Sequence, residues 1–410
     1  MSKNLLFRLV VLVTAMMCAL GAAAAEAYAC FTSADSTLRF FYDNYRSSRT
    51  GTTYDLNTGY NPPGWYTDGT NSSVTRVVFN SSFVSARPTS TLNWFMRMEN
   101  LQSILNMQYL NTSQVTDMSC MFYYCKGLTN IDLSHFNTQK VTDMNSMFYR
   151  CTGLTSLDLS HFNTANVTNI ANMFGGCSGL TSLDVSSFNT ANVISMAVIF
   201  QDCSALTSLD VSHFNTANVQ YMTGMFWGCS GLTALDVSNF KTGSAISLES
   251  MFSGCTGLTS LDLSSFNTTN VTRMNSMFYE CTALTTIYVS SGWSTAAVTE
   301  SSDMFTNCYN LVGGKGTTWN ASNPTDKTYA HIDGGPSNPG YFTAKNAGLR
   351  GDVNGDGSVN ISDVTALIDY LLTGNASGIS LSGADCNQDN SVNISDVTSL
   401  IDYLLSGTWN

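Results

Sequence analysis

Two stretches near the end of the chain place oxygen-bearing side chains at the spacing of a calcium loop. They read GDVNGDGSVNISDVTALIDYLL, from Gly351, and ADCNQDNSVNISDVTSLIDYLL, from Ala384. In the first, Asp352, Asn354, Asp356, Ser358, Asn360 and Asp363 fall at loop positions 1, 3, 5, 7, 9 and 12. In the second, Asp385, Asn387, Asp389, Ser391, Asn393 and Asp396 repeat the pattern. Calcium takes six to eight oxygens, and this spacing wraps them around one point. Position 7 supplies a backbone carbonyl, so serine suffices there, and position 9 often acts through water. Position 6 needs a sharp turn, which Gly357 provides and Asn390 tolerates. Two bound Ca2+ ions are expected. Eight Asp against one Arg give the segment from Leu349 onward a net charge of −7. Calcium binding and folding are therefore expected to be coupled.

Each loop must be held by the element behind it. The phrases VTALIDYLL and VTSLIDYLL follow the loops with helical apolar spacing. Val364, Leu367, Ile368 and Leu371, with Val397, Leu400, Ile401 and Leu404, predict a small shared core. Position 12 is Asp rather than the bidentate Glu of calcium sensors, and no helix pattern precedes either loop. A loop-then-helix duplicate of this kind resembles a type I dockerin domain, here over residues 349–410. The resemblance implies a cohesin-like module or scaffold protein as partner. The contact positions of that family fall on Ile361, Ser362, Ile368 and Asp369, and again on Ile394, Ser395, Ile401 and Asp402. The two sets are identical, which suggests docking in either of two orientations. The Ser-Thr and basic pair common among dockerins are absent.

Upstream, one phrase is written eight times. Cys125, Cys151, Cys177, Cys203, Cys229, Cys255, Cys281 and Cys308 step by 26 residues six times and then by 27. Self-similarity at this period marks a solenoid, whose units bury their apolar faces only by stacking. In LTSLDLSHF, the two Leu of LDL alternate with Asp158, the period of a strand. In NVTNIANMFGGC, Val167, Ile170, Met173, Phe174 and Cys177 recur at three or four, which predicts a short helix or helical turn. Asn163 and its equivalents follow the strand. They are expected to cap the turn and stack as a ladder that Lys241 interrupts. The phrase MFxxCxxLTxLDLSxFNTxxVT resembles the BspA-like leucine-rich repeat surface proteins. That likeness implies an N-terminal cap over 30–100, repeats over 101–309, a C-terminal cap over 310–345, and a role in adhesion or recognition.

The repeat columns invite chemistry. Equivalent residues in neighbouring coils sit ~4.8 Å apart with parallel side chains. That geometry opposes disulfides between them and predicts a buried ladder of reduced Cys. Cys30 and Cys120 lie outside it and could pair with each other. Asp132, Asp158, Asp184, Asp210, Asp236 and Asp262 form an outward column. Carboxylates ~5 Å apart in water repel by roughly 0.8 kcal/mol. Either neighbouring Ser and Thr satisfy them, or they make a ligand face for a cation or a basic partner. His135, His161 and His213 share a column with serines and an Asn, as solvated surface does. Trp65, Tyr66, Trp94, Phe95, Trp227 and Trp293 could stack on sugar rings, though aromatics more often fill cores.

The N-terminus MSKNLLFRLVVLVTAMMCALGAAAAEAYAC reads as a secretory signal peptide over 1–29, with cleavage after Ala29 or Ala25. Lipid attachment at Cys30 is the alternative. No other run is apolar enough to span a membrane. A net charge of −12 opposes nucleic acid as a partner. Zinc spacing is absent, and no catalytic constellation stands out. The chain is thus expected to be an α/β leucine-rich-repeat solenoid of parallel strands plus short helices or turns, with capping regions and a small all-α calcium-binding dockerin. It reads as a non-catalytic secreted or cell-surface binding protein with a protein or glycan ligand on the solenoid. The alternative is an accessory subunit of a cellulosome-like, polysaccharide-degrading complex.

Overall fold

The structure is a computed structural model and describes residues 24–57, 61–345, 349–356, 358–389 and 391–409. The signal segment up to residue 23 and the turn positions Gly357 and Asn390 lie outside the described residues.

Five strands open the fold. β1 (Glu26–Thr32) pairs antiparallel with β2 (Thr37–Asp43) and with β3 (Thr52–Asp55). β4 (Arg76–Phe79) and β5 (Ser103–Leu105) continue the sheet in parallel, giving the order β3-β1-β2-β4-β5. Aromatic residues pack behind it. Phe40 stacks on Trp94 at 5.1 Å and on Phe79 at 4.7 Å, and the Trp65 indole N–H donates to the Trp94 carbonyl at 2.7 Å. Trp65, Trp94 and Phe95 are fully buried, so they are core residues and not a sugar platform. Trp293 is also a packing residue, its Nε1 donating to the Ala330 carbonyl.

The repeats place much of their inter-coil ladder in the half expected to form a short helix or helical turn. Met144, Ser146, Phe148 and Arg150 donate their N–H groups to Asn169, Ala171, Met173 and Gly175 of the next coil, at 3.0, 2.8, 2.9 and 2.7 Å. Between them, Met147, Tyr149 and Cys151 donate to the carbonyl three residues back. The chain therefore runs as consecutive turns, whose i→i+3 spacing gives the same apolar period as a helix. Two positions per coil, four residues apart, must be left-handed, such as Ser146 and Arg150 at φ 56° and 55°. A helix excludes that conformation.

The leucine half makes strands only late in the array. β6 (Ser260–Asp262), β7 (Thr286–Val289) and β8 (Phe342–Ala344) form a parallel sheet in that order. In earlier coils Leu157 and Leu159 point inward as expected. However, the Asp158 carboxylate takes the Ser160 N–H at 3.0 Å, so that donor is lost to any ladder.

Buried columns fill the interior. Phe122, Phe148, Phe174, Phe200, Phe226, Phe252, Phe278 and Phe305 stack at 5.4–6.0 Å. Each ladder thiol donates to a Phe carbonyl of the preceding coil, as Cys151 does to Phe122 at 3.0 Å. All cysteines among the described residues are free. Cys30 lies in β1 and Cys120 in a turn of the array, so the suggested Cys30–Cys120 pair does not form. Burial pushes the ladder thiols up, Cys255 and Cys308 to about 12.

The expected Asn ladder is a threonine ladder instead. Thr138 Oγ1 donates to the Asn163 carbonyl at 3.0 Å and accepts the Asn163 N–H at 2.7 Å. The Asn163 side chain only caps its own turn, accepting from Ala165 N–H. Lys241 consequently breaks nothing, since Thr216 bonds its backbone in the same way. Near the end, buried Asp333 gathers N–H bonds from Lys315, Thr317 and Gly335. Although burial opposes its charge, those donors hold its carboxyl well below the usual range.

Two 13-residue helices form beyond residue 349, α1 (Ile361–Thr373) and α2 (Ile394–Ser406), with a four-residue helical turn at Leu381–Ala384 between them. Asn360 and Asn393 cap them in reciprocal boxes with Asp363 and Asp396. Val353, Val364, Leu367, Ala384, Cys386, Val397 and Leu400 make a separate small core. Ile368 and Ile401 are not part of it, being 38% and 39% exposed. No helix among the described residues is long and apolar enough to cross a membrane.

One residue is ill-suited to its place in the ladder. Val198 holds φ 51°, where Asn172 stands one coil earlier and Gly224 one coil later. A left-handed β-branched residue costs on the order of 1–2 kcal/mol. Val198→Asn is expected to raise stability by about 1 kcal/mol, read as a higher urea midpoint of the full chain. An unchanged or lower midpoint would refute the strain.

Candidate calcium and docking site

The two loops fold alike. In the first, Asp352 Oδ1 and Asn354 Oδ1 both accept the Asp356 N–H, at 3.1 and 2.9 Å. In the second, Asp385 Oδ1 and Asn387 Oδ1 accept the Asp389 N–H at the same distances. Asp356 Oδ1 accepts from Ser358 N–H, and Asp389 Oδ1 from Ser391 N–H. Positions 1, 3 and 5 are thus drawn together by one short turn of backbone.

Position 12 closes each loop. Asp363 is fully buried, and its carboxylate accepts the N–H groups of Val353, Asn354 and Asn360 at 2.8, 3.1 and 2.9 Å. Asp396, equally buried, accepts those of Asn387 and Asn393. A buried carboxylate is costly unless its charge is compensated. A hard divalent cation beside it fits that need and the all-oxygen donor set. Asp352, Asn354, Asp356, the Ser358 carbonyl and Asp363 would hold one ion. Asp385, Asn387, Asp389, the Ser391 carbonyl and Asp396 would hold the other. Among the described residues no group of three or more His, Cys, Asp or Glu is already gathered as a metal site. Part of each donor set is Asn and backbone oxygen, and the position-12 oxygens face N–H groups.

Asn360 and Asn393, at position 9, cap the helices. Asn360 Oδ1 accepts the Ser362 N–H and hydroxyl at 2.9 and 2.8 Å, so it caps α1. Asn393 does the same for Ser395. Ser362 and Ser395 are in turn tied to the loops. Asn354 Nδ2 donates to Ser362 Oγ at 2.8 Å, and Asn387 Nδ2 to Ser395 Oγ at 2.7 Å.

The expected docking residues lie outward. Ile361 and Ile394 are 72% and 71% exposed, and Asp369 and Asp402 are exposed beside Ile368 and Ile401. Two residues escaped the sequence reading. Leu372 and Leu405, 79% and 82% exposed, extend each isoleucine row by one helical turn. An exposed Leu in an amphipathic pattern reads as core, so no sequence signal marked them. Arg350 lies over the Trp409 ring at 4.2 Å, and Trp409 stacks on Tyr403 at 4.1 Å, joining the two ends of this segment.

The outward Asp column is largely self-satisfied. Asp132, Asp158 and Asp210 each accept both the N–H and the hydroxyl of the Ser two residues on. Asp184 and Asp236 accept the Ser N–H, and Asp262 adds Lys345 at 2.9 Å. These bonds hold Asp132, Asp158, Asp184 and Asp210 below the usual carboxylate range. Asp210, Asp236 and Asp262 also line an open groove of about 530 Å³. The histidine column is split: His213 Nε2 sits 3.0 Å from the Val185 carbonyl, whereas His135 and His161 lie beside serines.

Asp363→Ala would strip the acceptor from three backbone N–H groups. The expected result is a loss of about 2 kcal/mol or more in the C-terminal segment. A calcium titration of the full chain should then count one ion in place of two. Two ions still bound would exclude Asp363 as a closing residue.

Two solved structures are similar to the chain. One is a leucine-rich repeat protein from Bacteroides ovatus ATCC 8483, at 17% identity and TM-score 0.37, with 70% of this chain and 80% of that one covered. The other is a leucine-rich repeat protein from Eubacterium ventriosum ATCC 27560, at 17% identity and TM-score 0.34, with 70% and 82% covered. No curated protein matches. The dockerin type I domain model matches residues 350–405. Over residues 350–405 the chain thus matches a module that serves protein interaction and does not itself catalyse. A further family model matches residues 89–209, 155–256 and 195–319, together more than half of the sequence. The chain therefore belongs to the family described as Mycoplasma protein of unknown function, DUF285, and carries a C-terminal dockerin type I domain.

Proposed function

We propose that the protein is a secreted or cell-surface binding protein, similar to BspA-like repeat proteins, in which the repeat array presents a ligand-binding face. The dockerin attaches that array, in a calcium-dependent manner, to a cohesin-like module on a scaffold or surface protein. The observation that carries this reading is the duplicated exposed row on α1 and α2. Ile361, Ser362, Ile368, Asp369 and Leu372 reappear as Ile394, Ser395, Ile401, Asp402 and Leu405. Exposed isoleucines and leucines flanked by polar residues mark an interaction surface. Each row hangs from a candidate calcium loop through its Asn–Ser bond.

The array itself is read as capped at both ends, by the β1–β5 sheet and by the segment around Asp333. Capture on an immobilised cohesin module is expected in calcium and absent in EGTA. Replacing Ile361, Ser362, Ile368 and Asp369 together should leave capture largely intact, and replacing both sets should abolish it. Calcium-independent capture would sink the docking reading. Loss of capture from the first set alone would sink the two-orientation reading.

Export is read with cleavage after Ala25, not Ala29. Tyr28 and Ala29 are fully buried in β1, and Glu26 pairs with Arg46 at 3.2 Å. Cleavage after Ala29 would remove four residues from β1. Lipid attachment at Cys30 would demand the same cut and would place the lipid on a side chain only 3% exposed. The intact mass of exported protein is expected to fit Glu26 as the first residue. A mass fitting Cys30, bare or acylated, would refute this.

A further inference from the structure

Cations and tyrosines gather near the N-terminal end of the array, in a protein of net charge −12. Arg97, Tyr124 and Arg150 hold the same left-handed position in three successive coils, at φ 55°, 62° and 55°. The guanidinium carbons of Arg97 and Arg150 each lie 5.4 Å from the Tyr124 ring centroid. Lys126 Nζ lies 5.0 Å from the same centroid. Arg150 Nη1 donates to the Tyr124 hydroxyl at 2.7 Å, and Tyr123 stacks on Tyr149 at 5.0 Å. Lys126 is paired with Glu99 at 2.9 Å. Among the described residues, no carboxylate pairs with Arg97 or Arg150. Like charges held over one ring repel, and an anion would relieve them.

The next coil leaves this patch open. A Cβ on Gly175 would lie 3.1 Å from the Tyr149 ring, and one on Gly176 would lie 2.5 Å from Arg150 Cγ. The glycine pair therefore lets Tyr149 and Arg150 lie across it, and no side chain walls the patch on that side.

Two observations choose among anionic ligands. First, the backbone is already engaged. The N–H groups of Arg97, Tyr124 and Arg150 donate to Tyr123, Tyr149 and Gly175, each at 2.7 Å. An acidic peptide finds no free strand edge to extend, so that mode of peptide recognition is unavailable. Second, the side chains suit a polyhydroxylated acid. Forked guanidinium groups take carboxylate or sulfate oxygens in pairs. The phenol hydroxyls and ring edges suit sugar hydroxyls and C–H faces. Arg97 and Arg150 stand two coils apart, about 10 Å along the stack, a step that a chain of sugar rings can bridge.

We infer that Arg97, Tyr123, Tyr124, Lys126, Tyr149 and Arg150 form a binding site for an acidic polysaccharide laid along the stacking axis. This rests on the proposal that the array carries the ligand, and it is independent of the docking module. The test is binding of the calcium-loaded full chain to polygalacturonate and to heparin, against dextran and poly-glutamate. Binding to at least one acidic polysaccharide, in preference to dextran and poly-glutamate, is expected. The two polymers separate carboxylate from sulfate as the preferred acid. Arg97→Gln with Arg150→Gln should weaken binding at least about tenfold. Thermal melting and calcium-dependent capture should stay unchanged. Lys241→Gln, on a distant coil, should bind as the unaltered protein does. Failure to bind either acidic polysaccharide, equal binding to poly-glutamate, or an equal loss in Lys241→Gln would overturn the site. Loss of capture alone would overturn the docking proposal and leave this one standing.

Discussion

The array depends on one backbone ladder. Alternate N–H groups of the turn half cross to the carbonyl 25 residues on, while the others close turns within the coil. This pattern satisfies donors in both directions from a run of only eight or nine residues. It also imposes a cost, because two residues per coil must be left-handed. Gly, Asn, Asp and Ser meet that demand at several coils, and Arg150, Tyr124 and Val198 meet it elsewhere. At the second of those positions Arg97, Arg150 and Glu280 are exposed, whereas Ser146 at the first is buried. The ladder thus both sets the coil spacing and displays an outward column whose chemistry varies from coil to coil.

The buried columns follow from that spacing. Rings repeating at under 6.1 Å with nearly parallel planes are what identical side chains on identical coils must produce. The thiols share that confinement. Each has a carbonyl acceptor in the preceding coil and no partner sulfur turned toward it, so an exported protein can keep the ladder reduced. Threonine performs the matching task at the opposite corner, with one hydroxyl both donating and accepting across the coil boundary.

The sequence made the period, the inward Leu, Phe and Cys columns and the dockerin resemblance legible, because each depends on spacing along the chain alone. It did not separate consecutive turns from a short helix in one half of the coil, nor show that the strand half forms regular strands only late in the array. Consecutive turns and a helix share an apolar period of three to four, and only the left-handed positions separate them. Those positions hold Asn172, Val198 and Gly224 in turn, residues with no common propensity. Thr138 and its equivalents drew no reading from the sequence, since a hydroxyl buried between coils has no local signature. Ile368 and Ile401 fitted a core pattern, yet the small segment has only enough partners to bury Val364, Leu367, Val397 and Leu400. Trp65 and Trp94 show the opposite error, where aromatic residues suggested a ligand and filled a core.

In the C-terminal segment, three tasks share one hydrogen-bonded chain. Asn354 turns its Oδ1 into the loop and its Nδ2 toward Ser362 Oγ. The Ser362 hydroxyl donates a hydrogen bond to Asn360 Oδ1, which caps α1. Asn387, Ser395 and Asn393 repeat the arrangement. Whatever fixes the loop amide therefore also fixes the exposed serine and the first turn of the helix that carries the isoleucine row. A loop that loses its order loosens the serine and, through Ser362 and Asp363, the cap of α1. The proposed calcium dependence of docking would need no separate switch in this design. It follows from building the cap, the loop and the contact residue out of the same few side chains.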